Sequence, residues 1–252
     1  MNKKIDTIIT ELKGFSGSCV YLMKDSNKTF VRKINNIDRN YERMIFLSNL
    51  GYNIPLIYNK DHCTLDIEYI SGVDIKTYLK FNNIDKLLEF LLETIQSLAS
   101  NSIDKDYTDI YIQKLSMIDF TFLPFTNLEL LSTLPKILPS SNYYGDLTLE
   151  NIIYSQTGKF YLIDPVTIEY DSWIFDVAKL RQDLHCKWFL RNDNVYLHTK
   201  LNIIQQEIFN IFPQANNDYL LILMLLRVYR HATNNSFEQN FLLKEIHKLW
   251  KL

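Results

Sequence analysis

The character of this chain changes near residues 69–74, and that change restricts its fold more than any other feature. Before it, short β-prone runs alternate with polar turns. Cys19-Val-Tyr-Leu-Met23 and Thr29-Phe-Val-Arg-Lys-Ile34 flank the polar segment 24–28 and read as a hairpin. Asp38–Leu50 reads as a helix with Tyr41, Ile45 and Leu47 or Leu50 toward one side, and Gly51 falls where a left-handed residue ends a helix. Residues 53–59 and 63–70 read as two further strands. After Ser71 the apolar residues recur at helical spacing. A short helix is expected at 74–80, and Leu87, Leu88, Leu91, Leu92, Ile95 and Leu98 mark an amphipathic helix over 84–100. Pro124, Pro135 and Pro139 interrupt residues 101–140, which read as irregular or helical. Helices are expected again at 176–191, about 194–211, 217–232 and 236–251. The pattern predicts an α+β protein: a small antiparallel-sheet N-lobe (1–70), then a larger helical C-lobe (71–252) carrying a short strand insert at 143–168.

That insert holds the chemistry. Residues 143–164 read YYGDLTLENIIYSQTGKFYLID. Asp146 follows a glycine, Asn151 comes five positions later, and Asp164 ends the apolar run FYLI thirteen positions after that. Any one of these side chains alone would be a turn or a helix cap. Together, with Leu147, Leu149, Ile152 and Ile153 interleaved as anchors, they are what phosphoryl transfer from a magnesium–nucleotide complex requires. In this reading Asp146 is the catalytic base for an acceptor hydroxyl. Asn151 holds metal and braces the loop, and Asp164 chelates Mg²⁺ on the phosphates of ATP.

GDLTLEN, then LIDP, then DVAKLRQDL at Asp176–Leu184 resemble the aminoglycoside phosphotransferase and choline kinase group of kinase-like enzymes. The resemblance covers about residues 12–185 and implies a two-lobed protein-kinase-like fold. Two departures stand out. Tyr144 occupies the place of the family histidine before Gly-Asp, and Asp164 is followed by Pro-Val rather than Phe-Gly, which suits the small-molecule branch better than protein kinases.

The resemblance also implies the nucleotide-binding residues. The turn Gly14-Phe-Ser-Gly-Ser18 would cover the phosphates through backbone N–H groups and the hydroxyls of Ser16 and Ser18 around Gly17. Arg32 and Lys33 are adjacent, so only one can face the nucleotide; Lys33 is favoured and Arg32 remains open. Glu42 is the expected ion-pair partner of whichever faces in. Glu68, Tyr69 and Ile70 would form the hinge, with backbone contacts to the adenine. Asp176 is structural on either reading, as an N-cap or as a buried carboxylate bracing the catalytic loop. Acceptor candidates are Glu169, Asp171, Trp173, Asp183 and Trp188, whose acidic and aromatic groups would suit a cationic or polyhydroxylated molecule.

Bulk properties exclude other classes. A net charge of −2 with no Lys/Arg cluster argues against a nucleic-acid binder. The three cysteines (Cys19, Cys63, Cys186) form no zinc or disulfide spacing and read as free thiols in a reducing compartment. The five histidines show no metal or triad spacing. The most apolar run, Leu220–Leu226, is too short to span a membrane and reads as a core helix. The expectation is a cytoplasmic, ATP-dependent kinase acting on a small-molecule hydroxyl, first a sugar or surface-polysaccharide precursor. The alternatives are an aminoglycoside or choline/ethanolamine-type acceptor, or an inactive nucleotide-binding scaffold.

Overall fold

A computed structural model of the chain describes residues 7–12, 19–26, 28–193, 196–234 and 236–250. The chain divides into two compact units. The first runs to Tyr78 and also contains Glu150–Ile168; the second comprises Leu79–Leu149 and the chain from Glu169 onward.

In the first unit, β1 (Thr7–Leu12), β2 (Cys19–Lys24), β3 (Thr29–Ile34), β4 (Ile57–Lys60) and β5 (Thr64–Glu68) form an antiparallel sheet in the order β1-β2-β3-β5-β4. The expected hairpin is β2–β3. β1 was not foreseen: it is an edge strand exposed along most of its length, so no burial pattern marks it. Helix α1 (Asp38–Asn49) follows β3. Gly51, at φ 86°, ends α1: its N–H reaches Ser48 O at 3.0 Å, and Tyr52 N–H reaches Leu47 O at 3.2 Å, which is the paired closure of a Schellman motif. The buried side of α1 is Arg43, Met44 and Leu47, while Ile45 and Leu50 are exposed, so the helix is rotated from the face expected for it.

A second, three-stranded sheet joins distant parts of the sequence within this unit. β6 (Gly72–Asp74) pairs with β9 (Ile152–Ser155), which pairs with β10 (Phe160–Leu162). An aromatic cluster covers it: Tyr78 lies 4.7 Å from Tyr154 and 5.2 Å from Phe160, centroid to centroid. The strand insert thus belongs to the strand-bearing unit, because β9 needs β6 as a partner.

The second unit contains α3 (Asp85–Leu98), α4 (Thr108–Leu115), α5 (Asn127–Thr133), α6 (Trp173–Leu184), α7 (His198–Ile211), α8 (Asp218–Tyr229) and α9 (Phe237–Trp250); the short α2 (Ile75–Phe81) leads into it. Between α3 and α6, β7 (Ile103–Asp106) and β8 (Ile137–Ser140) form a two-stranded ladder in the stretch expected to be irregular or helical. A capping box between Thr126 and Glu129 starts α5. α3 buries Leu87, Leu91, Ile95 and Leu98, and α8 buries Leu220–Leu226, the core helix expected from its apolar run. Every residue of α6 is buried.

Candidate functional site

The helical unit holds one group of candidate residues. Ser172, not Asp176, caps α6 and accepts the N–H of Ile174 at 3.2 Å. The helix therefore starts one turn earlier than expected, and Asp176 lies inside it, 2% exposed. Asp176, Lys179 and Asp183 follow at spacings of three and four residues, so they share one stripe of the helix. The loop 144–149 is gripped along that stripe. Asp176 accepts the backbone N–H groups of Tyr144 and Gly145, the latter at 2.8 Å. Lys179 Nζ lies 3.2 Å from Asp146 Oδ1. Asp183 accepts the N–H of Leu149 at 2.7 Å and of Phe189 at 3.1 Å. Charged acceptors make such bonds about twice as strong as neutral ones.

The grip leaves Asp146 as the accessible member: its side chain is 34% exposed against 10% for Lys179. Tyr144, in the place of the family histidine, is fully buried. Burial pushes its hydroxyl pKa well above the usual range, and Asp146 and Asp176 push it further, so it stays neutral. A fixed, solvent-facing carboxylate on a braced loop can accept a proton from a hydroxyl.

Burial removes several acceptor candidates from contact with solvent. Asp183 is fully buried and spent on backbone N–H groups. Trp173 packs on Phe212 and Trp188 on Phe241, both tryptophans being buried. Asp171 is held by Lys105 at 2.7 Å, Tyr107 at 3.0 Å and Ser140 at 3.0 Å, and Glu169 is ion-paired with Lys114.

The strand-bearing unit holds a second group. Lys33 and Arg32 point to opposite faces of β3, as alternation requires. Arg32 is taken by Asp66, directly opposite it on β5, through two bonds of 2.7 Å. Lys33 is buried and forms an ion pair with Asp164; its Nζ also donates to Asn40 Oδ1 at 3.2 Å. Burial lowers the Lys33 ammonium to about 8.

Asn40, not Glu42, is therefore the α1 residue at this lysine. Two positions along a helix turn about 200°, which puts Glu42 on the far side, where it is exposed. Asn40 also donates to Pro165 O at 2.6 Å, tying α1 to the turn that carries Asp164.

Asp164 sits at φ 60°, a left-handed conformation that aspartate tolerates better than most residues. Ile163 N–H donates to Asn151 O at 2.9 Å, continuing the β9–β10 register and setting Asn151 and Asp164 at the same end of that hairpin. An amide oxygen and a carboxylate are hard donors that suit Mg²⁺, which takes one or two protein ligands and completes its shell with water and phosphate. The Asp164 side chain is 48% exposed and is ion-paired with the Lys33 ammonium.

At the expected hinge, Glu68 pairs with Phe30 in the sheet, and its carboxylate accepts the N–H of Leu56 at 3.1 Å. Tyr69 is exposed and Ile70 is buried. Ser16, Gly17 and Ser18 lie outside the described residues.

Lys179 and Asn40 were missed from sequence. The signal for Lys179 was its spacing of three from Asp176 on a helix already expected. No comparable signal marked Asn40.

No family model matches the sequence, and no curated protein matches it. Solved structures match it closely in fold. A thermostable mutant of aminoglycoside phosphotransferase APH(4)-Ia aligns over 98% of this chain and 94% of its own, at 9% identity and a TM-score of 0.66. A Haemophilus somnus protein, provisionally assigned as a fructosamine-3-kinase, aligns over 98% and 92%, at 15% identity and a TM-score of 0.62. Choline kinase LicA from Streptococcus pneumoniae aligns over 97% and 94%, at 21% identity and a TM-score of 0.54. Other structures of APH(4)-Ia hold ADP or AMP-PNP together with hygromycin B, and one of LicA holds AMP. The chain has the kinase-like α+β fold that these small-molecule kinases share.

Proposed function

We propose that this chain is an ATP-dependent, magnesium-requiring phosphotransferase that acts in the cytoplasm on a hydroxyl of a small molecule. The observation that carries the reading is the braced loop: Asp176, Lys179 and Asp183 hold residues 144–149 and leave Asp146 facing solvent. The nucleotide complexes of the structurally similar kinases support the same reading.

In this mechanism the acceptor oxygen bonds to the γ-phosphorus as the bond from phosphorus to the β–γ bridging oxygen breaks. ADP leaves with that electron pair, and the hydroxyl proton passes to an Asp146 carboxylate oxygen. Lys33 sets its ammonium against the phosphate charge. Asn151 and Asp164 would hold magnesium, which when bound neutralises charge on the phosphates.

Of the three acidic acceptor candidates, Glu169 is paired with Lys114, Asp171 with Lys105, and Asp183 is bound to backbone N–H groups. This favours a neutral polyhydroxylated acceptor, a sugar or surface-polysaccharide precursor, over an aminoglycoside or choline. The test is ADP release from Mg–ATP with monosaccharides, aminoglycosides, choline and ethanolamine, using Asp146→Asn as the blank. Sugar-dependent ADP above the blank is the expected result. Turnover with choline or an aminoglycoside would overturn the acceptor class. Nucleotide binding without turnover on this panel would leave either an acceptor outside it or a binding scaffold.

A further inference from the structure

Three carboxylates lie along one stripe of α6 and the loop it grips: Asp176 and Asp183 on the helix, and Asp146 on the loop. On the same stripe stands the Lys179 ammonium, three residues from Asp176 and four from Asp183. An ammonium 3.2 Å from a carboxylate favours its charged form. Asp176 and Asp183 are occupied by backbone N–H donors. Asp146 is the member that faces solvent, and a protonated Asp146 could not receive a proton from an acceptor. Tyr144, on the same loop, is neutral and contributes no cation.

We infer that Lys179 is a positioning residue whose ammonium keeps Asp146 ionised and fixes its carboxylate for the acceptor hydroxyl. This rests on the phosphotransferase reading for its purpose, although the electrostatic claim stands apart from it. Lys179 is buried, so it acts through Asp146 rather than by touching the acceptor. A buried ammonium is costly unless paired, and its pairing with the accessible carboxylate places that cost at the reacting group.

The experiment is a carboxyl ¹³C NMR titration of the nucleotide-free protein, with the Asp146 signal assigned by its loss in Asp146→Asn. Wild type is compared with Lys179→Met and Lys179→Arg, and the pH–rate profile of ADP release is recorded alongside. In Lys179→Met the Asp146 midpoint should rise by about one unit or more, the size of effect an opposite charge at this distance exerts. The acid limb of kcat should move with it. Lys179→Arg should restore both toward wild type. A folded Lys179→Met with an unmoved Asp146 midpoint overturns the inference, because a purely structural lysine would change stability and leave the titration alone. If Lys179→Met does not fold, Lys179→Gln takes its place under the same criterion. Absence of both turnover and nucleotide binding in wild type would defeat the phosphotransferase reading, whereas the titration would still decide the role of Lys179.

Discussion

The carboxylate of Asp176 and the backbone amide of Gly145 meet at 2.8 Å inside the helical unit, and the same carboxylate receives the amide of Tyr144. A helix side chain thus does for the loop what a neighbouring strand would otherwise do. It satisfies buried N–H groups that no secondary structure reaches.

Replacing Asp176 by Asn keeps the shape but removes the charge and presents an NH₂ toward one of two donors. Urea denaturation should show a loss of about 2–3 kcal/mol, in the range for buried hydrogen bonds to a charged group. Turnover should fall by more than that loss of folded protein explains, since the loop carrying Asp146 loosens. A change below about 0.5 kcal/mol, the range of ordinary surface substitutions, would mean the clamp bears no load.

Lys33 makes two opposite predictions with pH. Its ammonium titrates at about 8 in the folded chain, against the ordinary lysine value of 10.5. Between these values the unfolded chain binds more protons, so stability rises with pH across about 8 to 10.5, and the burial penalty is fully present below 8. Lys33→Met should be at least as stable as wild type at pH 7, with the difference shrinking toward pH 10; urea midpoints at pH 7, 9 and 10 check this. Lys187 is also lowered to about 8, so the comparison with Lys33→Met isolates the single group. Mg–ATP affinity, measured calorimetrically, should instead fall as pH rises through 8 in wild type, and be weak and pH-insensitive in the variant.

Asp146 and Asp164 should separate in their effects. Asp146→Asn should abolish transfer while Mg–ATP still raises the melting temperature, because that carboxylate serves the acceptor. Asp164→Asn should lose the stabilisation itself, which for a binding-competent chain is about 2.7 kcal/mol at a hundredfold excess over Kd. Equal thermal responses in the two variants would refute the division of roles.

Gly72 is fixed by contact. A Cβ there would lie 2.2 Å from the carbonyl oxygen of Tyr154, a backbone atom that cannot swing aside. Gly72→Ala should cost about 2–4 kcal/mol by forcing β6 from β9. Gly51→Ala, where nothing lies within 4 Å but φ is +86°, should cost only about 1–2 kcal/mol. Thermal melts of both would rank them.

Elements with a burial pattern of their own were legible in the sequence. The β2–β3 hairpin was legible from two β-prone runs around a polar turn, α3 from the face it buries, and α8 from an apolar run buried throughout. β1, β6, β7 and β8 were not, because short strands get their identity from a partner rather than from their own periodicity. Pro139, a breaker in isolation, sits in β8, whose one ladder faces β7 and leaves the other edge without a partner strand among the described residues. In the candidate site, residue types at fixed spacing drew attention to Asp146, Asn151 and Asp164, yet spacing could not distinguish Asp183 the clamp from Asp183 the ligand. That distinction depends on burial, which a single carboxylate in a helix does not reveal.

The pairing of Asp74 with Ile153 has a temporal consequence. A ribosome that has just delivered β6 must add nearly eighty more residues before β9 exists, a wait on the order of ten seconds at ordinary elongation rates. Throughout it the edge of β6 is unsatisfied and open to foreign strands. The first unit therefore cannot finish before much of the second has been made, and a fragment ending at Tyr78 should be prone to aggregation during biosynthesis.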